Sequence, residues 1–187
     1  MRIAIFVSGN GTNCENLIRH FRHTEVECAL VVSNKPDAYA LVRAERLNVP
    51  TAVLNREQLH TPHVVLPLLE SHHISFIVLA GFLPLIPAYL IEAYPRRIIN
   101  LHPALLPKFG GKGMWGRHVH EAVKAAGERE TGMTVHYVSP VCDGGEIIAQ
   151  RRVALTPEDT VDDIARKEHE LEMTYFPAIV EEVLRQT

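Results

Sequence analysis

The sequence predicts an α/β fold: a mostly parallel central sheet flanked by helices, with an antiparallel addition at the C-terminal end. Three observations lead there. Short, continuous apolar runs alternate with longer amphipathic segments, as for strands buried on both faces and joined by helical crossovers. A glycine- and asparagine-rich turn follows the first run, where a parallel strand passes into a helix. After residue 101 the alternation gives way to a Pro/Gly loop and two strand-like segments joined by a tight glycine turn.

In order, Ile3–Val7 is read as a buried strand, followed by a helix over about Cys14–Arg22. Cys28–Val32 is a second strand. A Ser-Asn-Lys-Pro-Asp turn leads from it into a helix across Ala38–Arg46. Thr51–Leu54 is a short third strand and His63–Ser71 a helix. Ile74–Ala80 is a strongly apolar strand, Ala88–Ala93 a short helix and Arg97–Leu101 a further strand. Pro103, Pro107 and Gly110-Gly111-Lys112-Gly113 make a long loop, the kind that in compact domains is functional or disordered. A helix near His118–Ala126 follows, then strands at Thr131–Val138 and Glu146–Ala154 around Ser-Pro-Val-Cys-Asp-Gly-Gly. The last helix opens at Thr160, an N-cap with Asp163 three residues on. Its apolar stripe is expected from Val161, Ile164, Leu171 and Tyr175, and Pro177 is expected to kink or restart it. The chain is expected to be one domain over 1–187, with a phosphate-binding half over about 1–100 and a catalytic half over about 80–187.

Composition narrows the function. At 187 residues, a folded chain buries about 70% of its unfolded surface and needs no disulfide or metal to hold a core. A formal net charge of −3 argues against a broad nucleic-acid surface, which depends on many Lys/Arg–phosphate contacts, but leaves room for one local anion pocket. Cys14, Cys28 and Cys142 are odd in number and form no C-x-x-C pair, which points to a reducing compartment. The N-terminus lacks the apolar stretch and cleavage site of a signal peptide, and no apolar run nears the ~18 residues of a membrane span, so a cytoplasmic location is expected.

Ser8-Gly9-Asn10-Gly11-Thr12-Asn13 stands at the carboxyl end of the first strand, the ligand-binding edge of open α/β sheets. Glycines let backbone N–H groups approach an oxyanion and the helix N-terminus adds positive potential, while Thr12 and Asn13 offer further donors. The third glycine of a dinucleotide fingerprint and the lysine of a P-loop are both missing, so a single phosphate fits better than a dinucleotide. A plain turn with a helix cap is the alternative. Asn100 and His102, two apart on a strand, point to one side, and Pro103 keeps His102 extended. An amide donor beside an imidazole suits a reaction that puts negative charge on a carbonyl oxygen; a hydrogen-bonded core histidine is the alternative. Asp143, before Gly144 and Gly145, is a turn residue by itself; folded over His102 it would orient the ring and raise its pKa. His118/His120, His72/His73 and His20/His23 have no companion ligands at metal-binding spacing, so no metal is expected. Trp115 and its neighbouring glycines read as a mobile lid or an oligomer contact.

With these residues in hand, the chain resembles the phosphoribosylglycinamide formyltransferase family, from Met1 to about Pro177. The motifs that carry the resemblance are Ser8-Gly9-Asn10-Gly11-Thr12-Asn13, Ser33-Asn34-Lys35-Pro36-Asp37-Ala38, Leu79-Ala80-Gly81-Phe82, Asn100-x-His102-Pro103-Ala104-Leu105-Leu106-Pro107 and Asp143-Gly144-Gly145. It implies a Rossmann-like formyltransferase fold, 10-formyltetrahydrofolate as donor co-substrate and 5-phosphoribosylglycinamide as acceptor, without metal. It implies that Asn100, His102 and Asp143 are catalytic. Gly11, Thr12, Asn13 and Glu172 then contact the acceptor, and Leu83, Pro84, Leu85, Ile86, Asn100, Ser139, Pro140, Val141 and Cys142 line the folate cleft. Arg56 is the candidate for an arginine expected near the folate, Pro84 stands where the family often has a basic residue, and the loop Phe109–Gly116 is longer than in its best-known members. The small-molecule partners exclude nucleic acid and membrane, and a monomer or weak homodimer is expected. Other folate-formyl enzymes, a formyltetrahydrofolate hydrolase or a tRNA formyltransferase, share the Asn-x-His…Asp core; a non-catalytic folate- or nucleotide-binding module is a more distant reading.

Overall fold

Valine, isoleucine, leucine and phenylalanine fill the strand runs so densely that water-facing alternation is impossible, and these runs form the interior of a sheet. The computed structural model describes residues 1–187. Its strands are β1 (Arg2–Val7), β2 (Glu27–Ser33), β3 (Thr51–Val53), β4 (Phe76–Leu79), β5 (Ile98–His102), β6 (Glu130–Tyr137) and β7 (Ile147–Ala154). The helices are α1 (Thr12–Phe21), α2 (Tyr39–Arg46), α3 (Arg56–Leu59), α4 (Pro62–Ser71), α5 (Ala88–Ala93), α6 (Arg117–Ala125) and α7 (Val161–Arg185). The strands make one seven-stranded sheet in the order β3-β2-β1-β4-β5-β6-β7. The pairs β1/β2, β1/β4, β2/β3 and β4/β5 are parallel, and β6/β7 is antiparallel. No helix is long and apolar enough to cross a membrane.

The chain divides into two compact units, Met1–Asn100 and Leu101–Thr187. In the first, Ile3 to Val7 and Phe76 to Val78 are completely buried, and the strand order reverses between β1 and β4. In an open α/β sheet that reversal leaves a crevice at the carboxyl ends of the two strands. The turns that leave them are tied together: Ser8 N–H donates to the Gly81 carbonyl at 2.9 Å, and Leu83 N–H donates to Ser8 Oγ at 2.9 Å. Helix α3, absent from the elements expected from sequence, forms because Asn55 and Gln58 make a reciprocal capping box, both bonds 2.9 Å long.

In the second unit, one hydroxyl pins the segment that follows His102. Thr134, fully buried on β6, donates to the Ala104 carbonyl at 2.6 Å and accepts from Leu106 N–H at 3.1 Å and Gln150 Nε2 at 3.0 Å. One donor and two lone pairs are thereby all used. Helix α7 starts at the Thr160/Asp163 capping box expected from sequence and then departs from expectation twice. Pro177 does not restart it: the element runs unbroken to Arg185, because Phe176, Ile179, Val180, Val183 and Leu184 bury a full face around the proline and outweigh one missing N–H donor. The buried stripe also matches the predicted one only at Ile164. Leu171 is only half-buried and Tyr175 is exposed beneath the Arg151 guanidinium, 5.2 Å from its ring centroid. The inward ridge is instead Ile164, Glu168, Glu172, Phe176, Val180 and Leu184, each one turn from the last.

Thr134→Val keeps shape and volume but strands Ala104 O and Leu106 N–H and leaves the Gln150 amide only its bond to the Leu106 carbonyl. We expect it to destabilise the fold by about 1–3 kcal/mol in chemical denaturation, with little change in the denaturant slope.

Candidate active site

The Ser8–Asn13 turn is a bare backbone cradle. Gly11 has φ +77°, and a Cβ on it would overlap Ala40, so α2 packs directly against the turn. Ala40 N–H donates to the Gly9 carbonyl at 3.1 Å, and Arg43 reaches the Asn10 carbonyl at 2.8 Å and Asn10 Oδ1 at 3.1 Å while pairing with Glu15. Ser8 Oγ donates to Asn34 Oδ1 at 2.6 Å, which joins the first two sequence motifs. Gly11 caps α1 without a side-chain hydrogen bond, and Thr12 and Asn13 are its first helical residues. The first-turn amides therefore lack the side-chain acceptor that most helix starts have, a geometry suited to an anion. After β4, Leu83 and Leu85 are exposed, at 43% and 67%, while Pro84 and Ile86 are half-buried. Arg56 opens α3 and is exposed.

The second unit holds the titratable cluster. His102 ends β5, two residues after Asn100, and is buried. Both its ring nitrogens face acceptors: Nε2 lies 2.8 Å from the Phe109 carbonyl, and Nδ1 lies 3.6 Å from Asp143 Oδ2. Phe109 presents that carbonyl from a left-handed backbone, φ +56°, with its ring packed on Val123, Leu155 and Ile164. Asp143 is left-handed too, φ +52°, which its short polar side chain tolerates. The following turn needs glycine, since a Cβ on Gly145 would overlap the Tyr137 carbonyl. Asp143 Oδ2 also accepts from Gly111 N–H at 2.9 Å, and Cys142 Sγ lies 3.8 Å away. Ser139 Oγ closes its own turn onto the Val141 carbonyl at 3.0 Å, leaving Pro140, Val141 and Cys142 exposed.

Sequence reasoning missed His136. Its Nε2 stands 3.6 Å from Asp143 Oδ1, so the carboxylate sits between two imidazoles. The ladder between β6 and β7 shifts register between Val135 and His136, the kind of irregularity that re-aims a side chain beside a site. A histidine in an otherwise buried strand just before the Asp-Gly-Gly turn was the available signal. Sequence reasoning also missed the Phe109 carbonyl, which no side-chain pattern announces, and the buried pair His120 and Glu168, both close in charge to Glu172 or bonded to it.

The electrostatics correct one expectation. Asp143 does favour a charged His102, and so does the Phe109 carbonyl, but burial is the larger effect and holds the His102 pKa below the ordinary histidine range. Burial would push the Asp143 carboxyl up, yet the His136 ring, Gly111 N–H and His102 together hold it below the usual carboxylate range. Burial likewise lowers His120, against the pull of Glu172. His169 moves the other way, raised by its Nδ1 contact of 3.0 Å with Glu172 Oε2.

The chain matches the formyl transferase family over residues 1–180. It belongs to that family. Relatives include the phosphoribosylglycinamide formyltransferases of Haemophilus influenzae, 34% identical over 96% of this chain and 85% of that protein, and of Bacillus subtilis, 33% identical over 98% and 94%. The crystal structure of phosphoribosylglycinamide formyltransferase from Anaplasma phagocytophilum is similar with a TM-score of 0.91 at 32% identity, covering 100% of this chain and 88% of that one. In this formyl transferase, therefore, the buried imidazole–carboxylate cluster is set in a transferase fold.

Because His102 and His120 are held neutral in the fold, the unfolded chain takes up protons first as pH falls. Their contribution to stability is present above about pH 6.5, the ordinary histidine value, and is lost on acidification below it. His169 opposes this: its raised pKa contributes stability fully below the unfolded value, lost as pH rises through the folded one. His120→Gln should flatten the decline of the urea midpoint below about pH 6.5; an unchanged decline would remove His120 from this account.

Proposed function

We propose that the chain transfers the formyl group of 10-formyltetrahydrofolate to the amine of 5-phosphoribosylglycinamide, a step of purine biosynthesis. What carries the reading is the His102 ring, buried at a strand end with acceptors facing both nitrogens, in a chain of the formyl transferase family. The names of its relatives supply the acceptor, and the bare glycine cradle fits the phosphate that such an acceptor carries. In this assignment Gly11, Thr12 and Asn13 take the phosphate and Glu172 contacts the acceptor. Leu83 to Ile86 and Ser139 to Cys142 meet the folate, with Arg56 as a candidate for its charged end.

The amine nitrogen attacks the formyl carbon, the new C–N bond forms, and the carbonyl oxygen becomes an oxyanion. The Asn100 amide and the His102 Nε2–H donate to that oxyanion. Nε2 meets the Phe109 carbonyl in this structure, so the oxyanion replaces a loop carbonyl as its acceptor. Burial keeps His102 neutral until negative charge develops beside it; that charge, together with Asp143, then favours the imidazolium. As the intermediate collapses, the bond to N10 of the folate breaks, and the proton lost by the amine passes to N10, with His102 and Asp143 available to carry it.

The decisive assay follows folate deformylation by absorbance, with and without phosphoribosylglycinamide. Acceptor-dependent turnover is expected; formate release without acceptor would make the chain a hydrolase, and no turnover would make it a binding module. His102→Ala should abolish turnover while acceptor binding persists, and near-normal turnover would remove His102 from the chemistry. Asn100→Ala should lower kcat by about 10²–10³ if its amide serves the oxyanion, with substrate binding measured separately by calorimetry.

A further inference from the structure

Glu168 is a carboxylic side chain in a place where charge is hard to keep. It is 2% exposed, on the ridge of α7 that otherwise carries Ile164, Phe176, Val180 and Leu184. It lies within hydrogen-bonding reach of another carboxyl, Glu172, one turn on and 8% exposed. Its Oε1 is buried without any partner. Two ionised carboxylates cannot hydrogen-bond each other, because each can only accept. The bond between them therefore requires a proton. The unpartnered Oε1 decides which of the two holds it. A buried anion with an unmet oxygen pays a far larger desolvation cost than a neutral acid whose carbonyl oxygen alone goes unmet. Burial and the neighbouring Glu172 both push the Glu168 pKa well above the usual carboxyl range.

The surroundings agree with one negative charge shared by the pair. His169 on the same helix contacts Glu172 Oε2 at 3.0 Å. His120 on α6 and His102 on β5 both feel Glu172 as a favourable charge. Arg117, also on α6, acts on His120 in the opposite sense. Three histidines thus face the charge of Glu172, whereas the group that acts on Glu168 is Glu172 itself.

We propose that Glu168 is a positioning residue for formyl transfer: a neutral carboxylic acid inside α7 whose O–H donates to Glu172 and holds that carboxylate, in one orientation, for the acceptor. This rests on the reading of Glu172 as an acceptor contact. No covalent step involves Glu168, and it touches neither substrate. Its part is to replace the water that would otherwise solvate one Glu172 oxygen, leaving the remaining acceptor sites of that carboxylate for His169 and the bound amine or hydroxyl donors. The i,i+4 spacing on one helix makes the arrangement rigid, since both side chains are carried by the same turn.

The test combines a spectroscopic and a kinetic readout. Infrared difference spectra of the intact protein at neutral pH should show a protonated carboxyl stretch that disappears in both Glu168→Gln and Glu168→Leu. Its absence from the wild type overturns the proposal whatever the substrates do. Glu168→Leu, which removes the donor and suits its apolar site, should raise the KM for phosphoribosylglycinamide about tenfold, as for loss of a hydrogen bond to a charged group, with the folate KM unchanged. Glu168→Gln retains an N–H donor at the same length and should keep the acceptor KM near the wild-type value. If Glu172→Gln raises the acceptor KM but Glu168→Leu does not, the positioning role is wrong. If the infrared band is present but Glu172→Gln leaves the acceptor KM unchanged, the fault lies in the acceptor reading of Glu172.

Discussion

Asp143 keeps a negative charge in a half-buried turn, and the cost of holding it there governs the layout of the Leu101–Thr187 unit. Water cannot fully solvate this carboxylate, so protein groups take over part of that role, with Gly111 N–H donating to it at 2.9 Å. Gly111 N–H, the His102 ring and the His136 ring surround it. Each comes from a different stretch of chain: the loop after Pro107, the end of β5 and the end of β6. The charge thus acts as a tie between these segments. Burial works on the histidines in the opposite sense, keeping His102 neutral at rest. The result is an imidazole that accepts a proton only when additional negative charge arrives, the behaviour a group needs if it is to respond to an oxyanion rather than to bulk solvent.

The same unit shows how polar groups can be carried inside without loss of a core. The Thr134 hydroxyl satisfies three partners at once and so holds the His102-Pro103-Ala104-Leu105-Leu106 segment against β6. Phe109 anchors the following loop by its ring on Val123, Leu155 and Ile164, which leaves its carbonyl turned to His102. Helix α7 places Glu168 and Glu172 on its most buried ridge, between Ile164 and Phe176. A helix selected for stability alone would carry apolar residues at both positions. Glu172 on that ridge acts on His102 and His120, and the buried Phe176, Ile179, Val180, Val183 and Leu184 supply the apolar burial that the two carboxyl turns forgo.

In the Met1–Asn100 unit the equivalent economy is one of backbone. Gly11 lets α2 pack against the turn after β1, and the turns after β1 and β4 bond to each other through Ser8. No charged side chain is planted at the start of α1 except Glu15, which is occupied by Arg43 and Arg19. What the turn offers is a set of oriented backbone amides at a helix start without a side-chain cap.

The strands and most helices were legible in the residues themselves, because Ile3–Val7 or Ile74–Ala80 can be soaked in apolar surroundings only as interior strands. The Thr160/Asp163 cap was equally plain, being a local hydrogen-bond pattern, and the Asn55/Gln58 cap had the same form but was passed over. Asn100, His102 and Asp143 stood out by chemical type and by turn context. Which atoms meet was not legible. That His102 faces a backbone carbonyl, that a second histidine flanks Asp143, and that Glu168 is bonded to Glu172 all depend on contacts between residues far apart in the chain or on which side of a helix is turned inward. Side-chain type and spacing are properties of the linear chain, whereas protonation state follows from desolvation and neighbouring charge, and those exist only once the segments have packed.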